Sequence, residues 1–242
     1  GLGIESSSFR HGMPHESVIE MDILTGSGEV VTARPEGEHR DLFYGFPNSY
    51  GSLGYALRLR IELEDVRPYV HLRHLPFPST TALIDALPEI CRDRRYEGER
   101  VDFVDGSVFS PTECYLTLGG WTDSAPGTSD YTWTDIYYRS IQAKREDWLT
   151  IRDYLWRWDT DWFWCSRAFM AQKPWVRRLA GRRLLRSDVY WKIMAFEERH
   201  HWKARYDARL GRPPRENVIQ DVELPVERLE EFLTGFQREG PS

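Results

Sequence analysis

The chain has 242 residues and a formal net charge of −6. This acidic balance argues against the concentrated basic surface that nucleic acids need, so no nucleic-acid partner is expected. No apolar run approaches the roughly 18 residues that cross a bilayer, and three widely spaced cysteines do not suit a disulfide framework. We therefore expect a folded, cytoplasmic protein of one large or two smaller domains.

The first part of the chain is predicted to be β-rich. Alternating apolar residues around the turn TGSGE predict a hairpin over residues 18–33. HRDLFYGF predicts a short helical turn, and YALRLRIEL has the clearest period of two, which predicts a strand. A domain boundary follows near residues 64–68, which divides the chain into domains 1–66 and 67–242.

The second part opens with strand, helix, strand, strand, predicted at residues 69–75, 79–95, 101–110 and 114–121. This order is typical of half of a ferredoxin-like α+β layer.

The remaining segments are predicted as mostly helical. WTDIYYRSI is predicted as a further strand, and residues 146–209 as an aromatic-rich helical region. NVIQDVEL is predicted as a strand, followed by a helix opened by Pro225.

A pair of histidines and a cluster of arginines are both interpreted as structural features and not as binding sites. His200 and His201 are adjacent on a predicted helix, where their side chains diverge, so no metal site is expected. A solvated helix face is favoured over contact with phosphate or anionic lipid for a cluster of arginines at Arg177, Arg178, Arg182, Arg183 and Arg186.

The opening segment GLGIESSSFRHG has the composition of a ligand-binding loop. Glycine lets backbone amides approach a bulky anion closely, and serine hydroxyls add donors of adjustable direction. A phosphate-bearing cofactor is a reasonable ligand for such a loop. The segment matches neither the G-x-G-x-x-G pattern between strand and helix nor the G-K-[ST] pattern.

That segment, the hairpin SVIEMDILTGSGEVVTA and DLFYGFPNSYGSLGYALRLRIEL together resemble the Diminuto / 24-dehydrocholesterol reductase (Δ24-sterol reductase) family. These are FAD-dependent oxidoreductases of the vanillyl-alcohol-oxidase type. The likeness continues through FVDGSVFSPTE and NVIQDVELPVERL. It implies an α+β fold: residues 1–66 as the second half of a PCMH-type FAD-binding domain, and 67–242 as an incomplete substrate (cap) domain with a half-ferredoxin-like sheet and aromatic helices.

The resemblance also implies a flavin site. Backbone groups near Val18 and Ile19 would reach the adenosine end of FAD. The pyrophosphate and flavin side would be lined by Gly1, Gly3, Ile4, Glu5, Ser6 and Ser7. In relatives this motif lies inside the FAD domain, so the polypeptide resembles an internal fragment that lacks an N-terminal FAD subdomain. We therefore expect FAD to be bound weakly or not at all, and the fragment to be inactive.

The implied reaction is reduction of a carbon–carbon double bond in the side chain of a sterol or similar apolar substrate, by protonation and hydride transfer from the flavin, with NADPH as electron donor. The catalytic candidates are Arg152 and Tyr154, which stand where the family also has Arg and Tyr. The family's nearby histidines are Trp156 and Trp158 here, which leaves the direction of the reaction open. An FAD-linked alcohol or lactone oxidase on the same scaffold and a non-enzymatic module binding an apolar ligand are the alternatives. Peripheral membrane contact is expected of the Trp- and Arg-rich region 148–186.

Overall fold

The computed structural model describes residues 8–162, 165–166, 170–212, 222 and 224–239. It divides into two compact units, one of residues 1–66 with 89–104 and one of residues 67–88 with 105–242. The protein is a mixed α/β structure built on antiparallel sheets, which agrees with the predicted α+β class. The assignment of residues 1–66 and 67–242 to a flavin domain and a cap domain stays a prediction.

The first unit is built on a three-stranded antiparallel sheet in the order β2-β1-β3. The predicted hairpin is confirmed as β1 (Val18–Leu24) and β2 (Val30–Ala33). A short helix α1 (Arg40–Gly45) follows, and β3 (Tyr55–Ile61) pairs with β1. The core forms because β1 places alternate apolar side chains on one face, where they pack with aromatic residues of α1 and its end. Its members are Val18, Met21, Ile23, Ala33, Phe43 and Phe46.

The apolar face of this sheet continues onto β3, where it is open. Leu59 lies opposite Met21 and Ile61 lies opposite Val18, so each pair shares one face of the sheet. Met21 and Val18 are buried, whereas Leu59 is 38% exposed and Ile61 49% exposed. Every residue of β3 is exposed, although its period of two correctly identified it as a strand.

The second unit contains a four-stranded sheet in the order β7-β8-β4-β9, with β4 paired antiparallel to both β8 and β9. Its first elements are β4 (Tyr69–Phe77) and α2 (Thr80–Asp93). A two-stranded ribbon, β5 (Arg95–Tyr96) with β6 (Glu99–Arg100), follows α2 along the sequence and belongs to the first unit. Next come β7 (Phe103–Ser110) and β8 (Glu113–Thr122). Helix α2 and strand β7 each pass from one unit to the other. The strand, helix, strand, strand order is confirmed.

The segment WTDIYYRSI, predicted as a further strand, is a helix. WTDIYYRSI contributes most of α3 (Tyr137–Ala143). Its buried residues Tyr137, Ser140 and Ile141 stand at the i, i+3, i+4 spacing of a helical face, and this spacing overrides the β-propensity of the Ile and Tyr residues. The next region, predicted as mostly helical, begins instead with the edge strand β9 (Glu146–Thr150).

The helices after β9 agree with the aromatic-rich prediction. They are α4 (Ile151–Leu155), α5 (Pro174–Leu184), α6 (Ser187–His200), α7 (Trp202–Arg209) and α8 (Leu229–Glu239). The predicted strand NVIQDVEL lies outside the described residues except for its positions 222 and 224. Within the described part of the chain, no helix is both long and apolar enough to cross a bilayer.

Candidate functional site

Most of the residues expected to hold the flavin lie outside the described part of the chain: Gly1, Gly3, Ile4, Glu5, Ser6 and Ser7. The described end of the same loop is a tight turn, in which the amide N–H of Gly12 donates to the Ser8 carbonyl at 2.8 Å. The amide N–H of Arg10 donates to the Ser8 hydroxyl at 3.2 Å. This serine therefore supports the local backbone.

Val18 and Ile19, which were predicted to reach the adenosine end of FAD, begin strand β1. The pairing of β1 with β2 runs from Met21 opposite Ala33 to Leu24 opposite Val30, so Val18 and Ile19 extend beyond the end of β2. The Val18 side chain is buried and that of Ile19 is 41% exposed. The backbone N–H of Val18 donates to the His15 carbonyl, and the role of both residues in binding FAD stays a prediction.

An arginine fork holds the opening turn in the first unit. Arg10 donates to both carboxylate oxygens of Glu64, at 2.6 and 2.8 Å, and its Nε donates to the Asp102 carbonyl at 3.0 Å. These bonds lower the pKa of Glu64 to about 2. The Arg10 guanidinium is therefore occupied by Glu64 and Asp102 and is not available to a cofactor phosphate.

Helix α4 separates the two catalytic candidates. Its first residue follows Thr150, whose hydroxyl accepts from the Asp153 amide N–H at 3.1 Å and so caps the helix. Arg152 is exposed and lines a cavity of about 490 Å³, whereas Tyr154 is buried. Residues two apart on a helix point about 200° apart, so the structure does not bring Arg152 and Tyr154 into one site.

Tyr154 belongs to a buried cluster in which an arginine lies among aromatic rings. The Arg157 guanidinium carbon is 4.0 Å from the Tyr154 ring centroid, 5.1 Å from that of Tyr137 and 5.9 Å from that of Trp158. Arg157 also donates to Asp105 at 2.9 Å. Burial raises the pKa of Tyr154 to about 12, and the nearby Arg157 charge opposes that rise. The guanidinium of Arg157 therefore already occupies the aromatic faces of this cluster.

A second buried polar network was not predicted from the sequence. Asp147 of β9 accepts from Ser129, from Lys144 at 3.1 Å and, by a short bond, from Tyr131. His74 of β4 donates to or accepts from Thr117 at 2.8 Å, and burial lowers its pKa to about 4. The signal available in the sequence was the alternation of β4, because His74 continues the buried series of Val70 and Leu72.

The arginine cluster divides into one buried member and four exposed ones. The expectation of a solvated face is wrong for Arg177, which is fully buried. It donates to the carbonyls of Trp133 at 2.7 Å, Thr160 at 3.0 Å and Ala171 at 3.2 Å. A guanidinium has five donors in a fixed fork, which suits it to tie several segments together. The exposed members are Arg178, Arg182, Arg183 and Arg186.

The chain is similar in sequence to several known proteins. It is 26% identical over 260 residues, 99% of its length, to the Delta(24)-sterol reductase of Homo sapiens, and it covers 46% of that protein. It is 32% identical over 121 residues to the Delta(24)-sterol reductase of Arabidopsis thaliana, which is 49% of this chain and 22% of that protein. Cytokinin dehydrogenase 5 of Oryza sativa subsp. japonica is 36% identical over 110 residues, 44% of this chain and 20% of that protein.

No protein-family model matches the chain. The resemblance to the Delta(24)-sterol reductases, expected from the sequence motifs, is confirmed along nearly the whole chain. The chain spans about half the length of the human protein that it matches.

Proposed function

We propose that the chain forms part of an FAD-dependent oxidoreductase that reduces an isolated carbon–carbon double bond of a sterol side chain or of a similar apolar substrate. The observation that carries this proposal is the match to Delta(24)-sterol reductases along 99% of the chain. The third relative is also a redox enzyme by name, a dehydrogenase. The fold alone would not distinguish these activities, because function depends on the site and not on the scaffold.

The proposed flavin contacts are the opening glycine–serine loop and the start of β1. The fit is supported at Val18 and Ile19, since these residues extend past the end of β2 and leave that side of the backbone outside the hairpin ladder. The proposed contacts in the loop are Gly1, Gly3, Ile4, Glu5, Ser6 and Ser7. FAD, when bound and reduced, supplies hydride, and NADPH is the proposed source of its electrons.

The open apolar face of β3 supports a further part of this proposal. Leu59 and Ile61 continue the buried face of Met21 and Val18 but are themselves exposed. The human relative is about twice as long as this chain. We assign this face to an N-terminal flavin-binding subdomain of the same polypeptide, whose apolar residues would cover β3.

Among the described residues, we assign to Tyr154 the proton for the alkene. Protonation of one alkene carbon leaves a cation on its neighbour, so the proton donor must lie away from water. Tyr154 is 6% exposed, and burial raises its pKa to about 12, so its hydroxyl holds its proton throughout the physiological range but is a weak acid unless its phenolate is stabilised. Arg157, over its ring, would stabilise the phenolate left after proton transfer.

A membrane surface is the proposed source of an apolar substrate. On α5, before its kink at Gly181, Trp175 is 58% exposed and Leu179 is 79% exposed, and Arg178 between them is exposed as well. Exposed aromatic and aliphatic side chains flanked by arginine suit the interfacial region of an anionic bilayer.

The test is turnover by the longest natural polypeptide that contains this chain. With NADPH and a sterol that carries a side-chain alkene, we expect a product heavier by one pair of hydrogen atoms, detected by mass spectrometry. A sterol with a saturated side chain is the matched control. Hydrogen peroxide formed from an alcohol would instead establish the oxidase alternative, and binding of the sterol without turnover would establish the non-enzymatic module.

The assignment of Tyr154 has its own test. Tyr154→Phe removes one hydroxyl from the buried cluster, and we expect kcat to fall by about 100-fold with little change in KM, the lower range of effects for a general acid. Tyr137→Phe removes one hydroxyl from an equally buried ring beside Arg157 and is the control. Equal losses in the two variants would show that Tyr154 acts only in packing.

A further inference from the structure

The cavity beside α4 has a charged lining that the proposed reaction does not use. Its volume is about 490 Å³, within the range of sites that take small organic ligands. Three guanidinium groups and one indole contribute to its wall, together with two carboxylates. These residues are Arg152, Asp153, Trp156, Asp159, Arg182 and Arg186.

Arg152 is the member of this lining that is free to bind a ligand. None of the residues that the structure describes forms a hydrogen bond or an ion pair with its guanidinium. Arg182 bonds to Asp130 at 2.5 Å, and Arg186 bonds to Asp188 at 3.0 Å. Both of these pairs are well exposed, and exposed pairs are weak enough to be exchanged for a ligand anion.

The two carboxylates of the lining accept hydrogen bonds at the N-terminal ends of helices. Asp153 lies in the first turn of α4 and accepts from the Thr150 hydroxyl at 2.7 Å. Asp159 accepts from the amide N–H of Ser187, at the start of α6, at 3.2 Å. The partial positive charge of a helix N-terminus balances a carboxylate in this position. The lining therefore carries three guanidinium groups against two carboxylates, a formal charge of three minus two, or +1.

The surroundings strengthen the positive charge. Helix α5 carries Arg177, Arg178, Arg182 and Arg183 and no acidic residue. Two of these, Arg178 and Arg183, are exposed without contributing to the lining. Such an arrangement attracts anions toward the cavity.

We propose that this cavity binds a phosphate monoester attached to a small organic group. Guanidinium groups match phosphate oxygens in paired hydrogen bonds, and three of them around one cavity favour a dianion over a single carboxylate. The cavity is much larger than a phosphate group, and Trp156, 53% exposed, offers an indole face to the organic part. The source of the monoester is a soluble phosphorylated metabolite or the headgroup of a lipid such as phosphatidic acid. The site does not depend on flavin or on the proposed reduction.

The experiment is calorimetric titration of the 242-residue chain with phenyl phosphate, and separately with vesicles of phosphatidylcholine with and without phosphatidic acid. Arg152→Met is the test variant, and Arg199→Met, which removes the same charge from an exposed position of α6 outside the lining, is the control. Losing the paired bonds to Arg152 should weaken binding by about 10-fold to 100-fold. Circular dichroism checks that both variants are folded.

Binding of phenyl phosphate that Arg152→Met weakens and Arg199→Met retains supports the proposal with a soluble ligand. Binding only to phosphatidic acid vesicles, with the same dependence on Arg152, supports it with the lipid headgroup. Phenol, which lacks the phosphate, should not bind in either case. The proposal is overturned by equal binding to wild type and Arg152→Met, or by the absence of binding to both phosphate probes.

Discussion

Arg177 is a buried charge that holds three segments together through carbonyl groups at Trp133, Thr160 and Ala171. Burial lowers the pKa of Arg177, since the charged form is costly away from water. Arg177→Met keeps most of the side-chain volume but leaves these acceptors without donors. Because each unsatisfied buried acceptor costs about 1–3 kcal/mol, we expect a loss of about 3 kcal/mol in the free energy of unfolding.

Urea denaturation of this variant and of Arg178→Met measures that difference. Arg178 is the next residue of α5 and is exposed, so its replacement should change stability by less than about 0.5 kcal/mol. Equal effects at the two positions would contradict the structural role assigned to Arg177.

Gly54 is required at the entry to β3. Its φ of +127° is a conformation that side-chain-bearing residues rarely adopt, and a Cβ at this position would lie 2.2 Å from the Leu24 carbonyl oxygen. We expect Gly54→Ala to cost about 3 kcal/mol, since a backbone clash adds to the conformational penalty of about 1–3 kcal/mol. In Gly51→Ala the φ is also positive, at +83°, but the nearest atom is 3.9 Å away, so thermal denaturation should show a smaller loss. A similar fall in Tm for both variants would exclude the clash.

At the scale of elements, the Arg10–Glu64 fork ties the opening turn to the segment after β3. The pKa of Glu64 is about 2 in the folded protein, below its ordinary value of 4.5, so folding favours the carboxylate. The stability from this pair is complete above about pH 4.5 and is lost as the pH falls toward 2. Glu64→Gln should lower the free energy of unfolding by about 1 kcal/mol at pH 6 and by less at pH 3.

The exposed neighbour Glu62 provides the control, as Glu62→Gln. Urea unfolding at both pH values separates the two variants, since other acidic groups titrate alike in each. A constant difference between Glu64→Gln and wild type across this range would show that the carboxylate charge of Glu64 contributes nothing.

The elements that the sequence predicted correctly are those whose signal is local. The hairpin of β1 and β2, strand β4 and helix α2 each follow from periodicity and turn residues within one segment. Helix α3 was mistaken for a strand because the aromatic and β-branched residues of WTDIYYRSI have strand propensity, while the packing of Tyr137 and Ile141 decides the helix.

The candidate site was less predictable, because its geometry depends on contacts between distant segments. The sequence placed Arg152 and Tyr154 in one region, but the turn of α4 directs only Arg152 into the cavity. The cavity itself joins α4 to Arg182 and Arg186, some 30 residues later. Burial of Arg177 likewise depends on carbonyl groups up to 44 positions away in the sequence. The composition and the spacing of residues carry no information about contacts between segments that are distant in the sequence.

At the scale of the whole molecule, the open face of β3 and the proposed flavin site lead to the same expectation. Leu59 and Ile61 are exposed where the core face of the first unit continues. If a further subdomain covers this face and completes the flavin site, a change at β3 should weaken flavin binding without touching a flavin contact. In the longest natural polypeptide that contains this chain, Leu59→Asp should therefore lower the flavin content, and Leu59→Met, which keeps the apolar volume, should retain it.

The 242-residue polypeptide alone should purify colourless, with FAD bound weakly or not at all. Micromolar affinity requires about 8 kcal/mol of net binding free energy, and part of a site rarely supplies this after the cost of ordering the ligand and loop. The measurement is the visible absorbance of this polypeptide and of the longer one, each after incubation with excess FAD and gel filtration. The longer polypeptide should retain flavin in about equal molar amount. A yellow preparation of the 242-residue polypeptide would show that its own residues complete the site, and the role assigned to the β3 face would then be wrong.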